Sequence, residues 1–508
     1  MFKDNATEAL YGERLRRYVT AMGCGVPDRI PIRLFLQEAA ARYVGYTNQQ
    51  VACDYGMAFE TTRLAAEGLG VDSVMLNAIW SNYGVGKSAS WRYLHIPGVD
   101  VGLGSVSQYS EPEGEGDAYM KADEYGELID DPTAFILTKW LPRASARLSP
   151  PGDPVTLGHN AALISGALAY ADYMGAFGPA AARLRYESGI VGANAGMVKA
   201  PLDILADKFR GYLGTAIDAG ERPGDVLRAC EALMPHILAN ALAGADPERN
   251  VPVTVWAHRG CVPFFSMETF DSVYWPTLRP ILEEIIKAGH RVLFYGEGNW
   301  EAHYGALRGL PAGSMVYHLD RGDPSAAASA FKGRHAISGG MPYDVLARGT
   351  ADEVRESTLA LLKVMKPGGG YVFDCSALML DDICPENLRA AVGCVMEHGA
   401  YSASSGAAPH VAAAGGSGAD CVAEAWEAGA REAGVPDAGA DLGVGAGAAE
   451  GVRLGAFRRG ARPPMTVRPW DEESRGYKAL SGDVAMVERV WKARDAAAYG
   501  YLWTTVLW

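Results

Sequence analysis

The chain has little that would mark it for a membrane, a disulfide framework or a nucleic acid. Among its 508 residues no run is both long and apolar enough to span a bilayer. Its start, MFKDNATEALYGERLRRYV, is polar and helical and lacks the apolar centre of a secretory leader. The 8 cysteines (Cys24, Cys53, Cys230, Cys261, Cys375, Cys384, Cys394 and Cys421) are scattered without one Cys-x-x-Cys pair. That spacing excludes a zinc ribbon or a thioredoxin-like motif, and reduced thiols in a cytoplasmic protein are the expectation. Basic residues are outnumbered, 46 against 60 acidic ones, and the formal net charge of -14 argues against nucleic acid or an anionic membrane as partner. No Gly-x-Gly-x-x-Gly follows the first candidate strand, which weakens a dinucleotide-binding reading.

What is present is an alternation of short buried strands and amphipathic helices, clearest over residues 251–300. Val253, Val255 and Trp256 form a β-prone run that ends in His258-Arg259-Gly260-Cys261. A helix follows, with Thr277 as its expected cap and Leu278, Ile281, Leu282, Ile285 and Ile286 at helical spacing. Val292, Leu293 and Phe294 make the next strand, ending in Tyr295-Gly296-Glu297-Gly298-Asn299-Trp300. The rhythm continues through strands at 314–319, 335–338 and 371–373, which end at Asp320, at Gly339-Gly340 and at Asp374-Cys375. Thr350 and Glu353 form a capping box, and Pro385 suits a helix start.

Five successive strand–helix units predict an α/β fold, a (β/α)8 TIM barrel. Upstream, the pattern gives a helix over 5–22, strands at 30–35 and 71–76, and helices between them, the second strand ending at Asn77. A stretch rich in Gly, Pro and acids at about 80–150 is expected to be an insertion or lid. Residues 158–245 read mainly as helix, most clearly over 197–214 and 224–242. The domain plan is therefore a barrel with an N-terminal insertion over 1–400, an Ala/Gly-rich low-complexity segment over 401–465, and a helical tail over 466–508 as a C-terminal extension.

In a parallel barrel the loops after the strands meet at one mouth. That rule brings Glu297, His258 and Asp320 together as catalytic candidates. Glu297 stands between two glycines that let a ligand approach, and a crowded carboxylate can work as acid or base. Arg259, Tyr295, Asn299, Asn77, Gly339 and Gly340 are the substrate-binding candidates. Glu297, His258 and Cys375 together could hold zinc. The blander alternatives are a hydrogen-bonded loop histidine, helix-capping aspartates at 320 and 323, and arginines 259 and 321 paired only with these acids.

The order of several motifs resembles the uroporphyrinogen decarboxylase superfamily. They are Pro27-Asp28-Arg29-Ile30-Pro31, residues 270–276 with the helix after them, GHRVLFYGEGN, AISGGMPYDVLARGTADEV and GGGYVFDCSALMLDDICPENLRAAV, and the resemblance runs over most of residues 8–400. It implies a (β/α)8 barrel with its site at the C-terminal mouth, in a family that includes the haem-pathway decarboxylase and the cobalamin-dependent methyltransferases. Two departures bear on the branch. Where the decarboxylases carry a basic RQAGR-type segment, this chain reads Leu36-Gln37-Glu38-Ala39-Ala40-Ala41-Arg42-Tyr43, and the place of their catalytic aspartate reads Leu76-Asn77-Ala78-Ile79-Trp80. Where the methyltransferases carry a zinc-binding His-x-Cys, this chain has Tyr295-Gly296-Glu297. The resemblance thus implies a divergent branch nearer the methyltransferases. The expected activity is methyl transfer between a small-molecule substrate and a corrinoid (cobalamin), free or on a corrinoid protein. A decarboxylase-like carboxy-lyase and a non-catalytic corrinoid binder are the alternatives.

Overall fold

The structure is a computed structural model that describes residues 1–77, 79, 83–112, 114–401, 462–477 and 480–507. The Ala/Gly-rich segment, apart from its two ends, lies outside the described residues. The barrel strands are β1 (Arg33–Leu34), β2 (Ser73–Val74), β3 (Val191–Gly192), β4 (Met197–Lys199), β5 (Val253–Ala257), β6 (Val292–Asn299), β7 (Met315–Arg321), β8 (Ala336–Gly339) and β9 (Tyr371–Val372). β1, β2 and β3 pair in parallel, as do β4 through β9 in order. One stretch of chain supplies both β3 and β4. Ala193 N donates to Val74 O at 2.9 Å on one side, and Ala195 N to Pro252 O at 3.0 Å on the other. Between β9 and β1, Arg33 N donates to Phe373 O and Phe373 N to Pro31 O, both at 2.9 Å. The pairings therefore run right round a ring of eight strand positions, with the β3–β4 stretch counted once.

Alternation along the strands sorts the core into two layers. Phe35, Trp256, Leu293, Tyr295, Val316, Ala336 and Val372 fill the barrel interior together with Tyr18, Ala21 and Met22. The last three belong to α1 (Asn5–Met22), which Asp4 caps by accepting from Thr7 N. Val253, Val255, Phe294 and Tyr317 belong to the other layer, with the helix residues Leu278, Ile281, Leu361 and Leu388. The main outer helices are α2 (Tyr55–Leu69), α3 (Leu157–Ser188), α4 (Pro201–Ile204), α5 (Pro223–Ala243), α6 (Trp275–Lys287), α7 (Ala351–Met365) and α8 (Pro385–His398). The capping box at Thr350 and Glu353 and the proline start at Pro385 form as expected. The tail forms α9 (Val484–Leu507), whose buried Tyr499 and Trp503 dock on α5. There the His236 ring stacks on Trp503 with centroids 4.4 Å apart.

Two expectations need correction. Residues 197–199 are strand, and the helix starts only at Pro201, because the chain must complete the barrel between β2 and β5 first. Thr277 is not a cap. The helical stretch begins at Met267, capped by Ser266, and continues through a π-turn over Phe270–Tyr274. Thr277 Oγ1 donates back to Val273 O at 2.8 Å from inside α6. The stretch at about 80–150, expected as an insertion or lid, contributes to the main core: Trp91, Tyr93 and Trp140 are buried there, and Trp140 Nε1 donates to Lys208 O at 2.6 Å. Among the described residues no helix is long and apolar enough to cross a membrane.

Candidate active site at the barrel mouth

A cavity of about 2180 Å³ opens where the strands end. Its polar side carries Lys199 at the end of β4, His258 and Arg259 after β5, Glu297 at the end of β6 and Asp320 at the end of β7, with Asn77 and Asn299 beside them. Its wider side is walled by Leu163, Tyr170, Tyr173, Phe177 and Tyr501 of α3 and α9.

The loop after β5 is held from below by two aspartates four residues apart. Asp203 sits in α4 and Asp207 in the π-turn Leu205–Phe209 that continues it, so both carboxylates project from one face. Asp203 accepts from the backbone N of His258 at 3.1 Å, from that of Arg259 at 2.9 Å and from Tyr274 OH at 2.9 Å. It fixes the loop. Asp207 fixes the side chains: it accepts from Lys199 Nζ at 2.8 Å, His258 Nε2 at 2.6 Å and Arg259 Nε at 3.2 Å. Burial alone would raise the Asp207 pKa, but the charges of His258 and Lys199 hold its carboxyl well below the usual range. In return, although burial works against its charge, Asp207 and Asp203 push the His258 imidazole up to about 10. His258 is an imidazolium at neutral pH.

The second ring nitrogen of His258 faces the cavity. Nδ1 lies 3.5 Å from Glu297 Oε2, and Trp256 Nε1 donates to Glu297 Oε1 at 2.8 Å. Glu297 is 40% exposed, to the cavity, which leaves its carboxylate available to a ligand. Burial opposes its charge, but His258 and the Trp256 indole hold its carboxyl below the ordinary value. The β6–β7 register shifts between Gly296 and Asn299, an irregularity that spans Glu297. Gly298 is required there: its φ is +87°, and a Cβ would meet Cys261 Sγ at 2.7 Å. Its amide donates to Asp320 Oδ2 at 2.7 Å. Burial, with Glu297 adding its charge, pushes the Asp320 carboxyl up to about 6. One mouth thus holds a fixed carboxylate, a fixed imidazolium and a carboxyl that titrates near neutrality.

The catalytic candidates His258, Glu297 and Asp320 meet as the strand-end rule required. Arg259 also reaches the cavity, but its charge is spent. It bonds Asp207 and Glu111, and stacks over Phe264 with 4.9 Å to the ring centroid. Asn77 lines the wall and donates to Tyr173 OH at 3.1 Å, and Asn299 Oδ1 accepts from Glu301 N at 2.9 Å. Asp323, not Asp320, is the helix cap, accepting from Ser325 N. The remaining candidates are not at the cavity. Tyr295 is fully buried, with its ring between Trp256 at 4.1 Å and His318 at 4.0 Å, in a deck beneath the mouth. Gly339 and Gly340 take positive φ of 80° and 84° inside the fold, where the Cβ of Gly339 would meet Leu319 O at 2.7 Å. Cys375 is buried, and burial pushes its thiol up to about 12.

The zinc expectation fails on the placement of its donors. Cys375 is buried away from the cavity that His258 and Glu297 line, so the three expected donors do not meet. Among the described residues no group of three or more His, Cys, Asp and Glu converges to hold an ion. Sequence reasoning missed Lys199, Asp203, Asp207 and Glu111. Its only available signal was the i, i+4 spacing of the two aspartates after Pro201, in a stretch read as ordinary helix.

A parallel (β/α)8 ring with its polar side chains at the C-terminal ends of the strands defines a barrel of the enzyme type. Residues 193–398 match the family model described as Uroporphyrinogen decarboxylase (URO-D). A solved structure described as a methyltransferase from Methanosarcina mazei aligns with 75% of this chain and 98% of its own at 14% identity and a TM-score of 0.49. Among curated proteins none matches.

Proposed function

We propose that the chain is a methyltransferase that moves a methyl group between a small-molecule substrate and a corrinoid, either free cobalamin or the group of a separate corrinoid protein. The observation that carries this reading is the cavity. At about 2180 Å³ it is roughly twice the upper size of an ordinary small-ligand pocket, and its long apolar wall leads to the polar group of His258, Glu297 and Asp320 at the strand ends. That shape suits a broad, flat macrocycle lying over a small reactant. With both nitrogens of His258 engaged, a corrinoid would be held by shape and apolar contact rather than by a histidine on its metal. When bound, it would supply the metal centre that gives or takes the methyl group.

The residues of the chain would supply position and a proton. Glu297, fixed by Trp256 and His258, orients the polar end of the substrate. When the bond from the methyl group to oxygen, nitrogen or sulfur breaks, the electron pair stays on that heteroatom. Protonated Asp320 can then deliver a proton to it, and in the reverse direction ionised Asp320 removes one. Alignment supplies most of the barrier reduction in such a displacement. The carboxy-lyase alternative is weakened because Arg259, its intended carboxylate clamp, is already neutralised by Asp207 and Glu111.

The test is optical. Full-length protein is incubated with methylcobalamin and a panel of phenols, amines and thiols, and with reduced cobalamin and their methylated forms. The expected result is a change in the cobalamin spectrum that Asp320→Asn slows by roughly 100-fold. No spectral change with any member of the panel, nor with a cognate corrinoid protein, overturns the proposal. Tight corrinoid binding without turnover would assign the chain a carrier role instead.

A further inference from the structure

The cavity does not stop at the mouth. It follows α3 from Leu163 to Arg185, and every turn between them contributes a lining residue: Ala167, Ala171, Gly175, Gly178 and Ala181. That span of helix is about 33 Å long. α3 ends just before β3 begins, so Arg185 lies at the N-terminal ends of the strands, opposite the mouth. The other walls agree. Ile190 and Lys199 bracket the β3–β4 stretch and both line the cavity, as do Val251 before β5 and His258 after it. An arm therefore runs down the flank of the barrel, beside α3 and the β3–β4 stretch, from the mouth to the opposite rim.

Side-chain size keeps this layer open. Where a helix packs on a barrel strand, large side chains normally interdigitate and close the gap. Here small residues face one another: the α3 set, Gly192, Ala195 and Gly196 on the strand, and Ala493, Ala497 and Gly500 on α9. A Cβ added at Gly175, Gly178 or Gly192 would meet nothing within 4 Å. Among the described residues, every charged group that lines the cavity lies at one of its two ends. The charges of the far end are spent locally. Arg185 Nη1 lies 3.2 Å from Glu248 Oε1, and Asp246 accepts from the amides of Asn250 at 2.8 Å and Val251 at 3.1 Å. The groups placed to hold a reactive polar head, Glu297 and Asp320, are at the mouth.

We propose that the ligand of the mouth is a long-chain amphiphile. Its polar, reacting head sits at Glu297 and Asp320, and its uncharged alkyl or isoprenoid chain lies along the arm. A charged group on that chain is excluded, because the arm offers it no counter-charge. The length suits roughly 20 to 25 carbons of extended chain. As the identity of the methyl-bearing substrate, this rests on the function proposed above; as a binding site, it does not.

The test is a homologous series. Para-alkylphenols, from ethyl to eicosyl, are titrated against the full-length protein by displacement of a fluorescent long-chain alcohol. Affinity is expected to rise roughly 3-fold per added CH₂ and to level off once the chain outruns the arm. Leucine plugs at two depths read the geometry. Gly175→Leu closes about 15 Å of the far arm and Gly178→Leu about 10 Å. Neither added side chain meets a neighbour at its Cβ, so both variants should keep the circular dichroism of the wild type. Both should level off at shorter chains, and Gly175→Leu at the shorter of the two. Affinity that ignores chain length, or a levelling point that neither plug moves, overturns the proposal and leaves methyl transfer to its own optical test with short substrates. Binding that tracks chain length and shifts with the plugs, without any cobalamin spectral change, upholds the site and overturns the methyl-transfer reading instead.

Discussion

Glu297 and Asp320 are carboxylates of one mouth with opposite acidities, and the difference is readable from their partners. Glu297 touches a cation and an indole N–H, whereas Asp320 has one backbone amide and the charge of Glu297 nearby. His258 stays protonated until about pH 10 and so contributes no change between pH 5 and 8. Any activity limb near pH 6 belongs to Asp320, and Asp320→Asn should remove it. The same substitution has a stability consequence of fixed sign. A carboxyl whose folded pKa, about 6, lies above its unfolded value of about 3.9 binds its proton more tightly in the folded state. The stability this gives is full below about pH 4 and is lost as pH rises through 6. Replacing the charge by an amide should therefore raise stability at pH 7.5 by about 1–2 kcal/mol, less than the full shift because the group is partly exposed. Urea titrations of both proteins at pH 4 and 7.5 decide this: a gap that does not widen with pH would show that Asp320 is not strained by its site. Residue types at strand ends made His258, Glu297 and Asp320 findable. Asp207, which sets the charge of His258, was not findable in this way, because an aspartate within a helix has no distinctive local pattern.

The elements differ in how much of themselves they announce. Helix α7 is legible down to its capping box because its signals are local: Thr350, Glu353 and the apolar positions Val354, Leu361 and Leu362. The β3–β4 stretch is illegible because five labelled strand residues, split by Ala193 to Gly196, are too few for any period to register. The loop closing β6 lies between these cases. Its two glycines mark it as special, and the structure supplies the reason: only a residue without a Cβ can take φ +87° against Cys261 Sγ. Gly298→Ala is therefore expected to destabilise the protein by about 1–3 kcal/mol and to displace Glu297 from its bond to Trp256. Thermal unfolding, together with the fluorescence of Trp256 isolated by a Trp256→Phe control, reads both effects. Full stability in the alanine variant would mean that Cys261 yields without cost.

At the scale of the whole molecule, the ring depends on a seam that no local pattern in the sequence could reveal. Arg33 on β1 and Asp374 after β9 are 341 residues apart, yet Arg33 Nε donates to Asp374 Oδ2 at 3.0 Å in the sealed interior. Arg33 also donates to Ser338 Oγ at 3.0 Å and to His318 Nδ1 at 3.1 Å. His318 Nε2 faces the carbonyl of Ser376 at 3.0 Å and must donate, so Nδ1 accepts and the ring is neutral. Burial, and then the charge of Arg33, keep His318 in that form by lowering its pKa. The first, seventh and eighth barrel positions are thus tied to the β7 ring that stacks on Tyr295, the deck on which the mouth rests. Burial pushes Asp374 up to about 7 against the pull of Arg33, so the pair is costly to bury and still more costly to break. Asp374→Asn would leave a sealed guanidinium without its counter-charge and should cost about 3–5 kcal/mol. Replacing both partners, as Arg33→Met with Asp374→Leu, should cost less than that single change, because no charge is left stranded. Urea unfolding midpoints of the three variants measure the order. A double variant less stable than Asp374→Asn would show that the pair itself, rather than the avoidance of an orphaned charge, holds the seam closed.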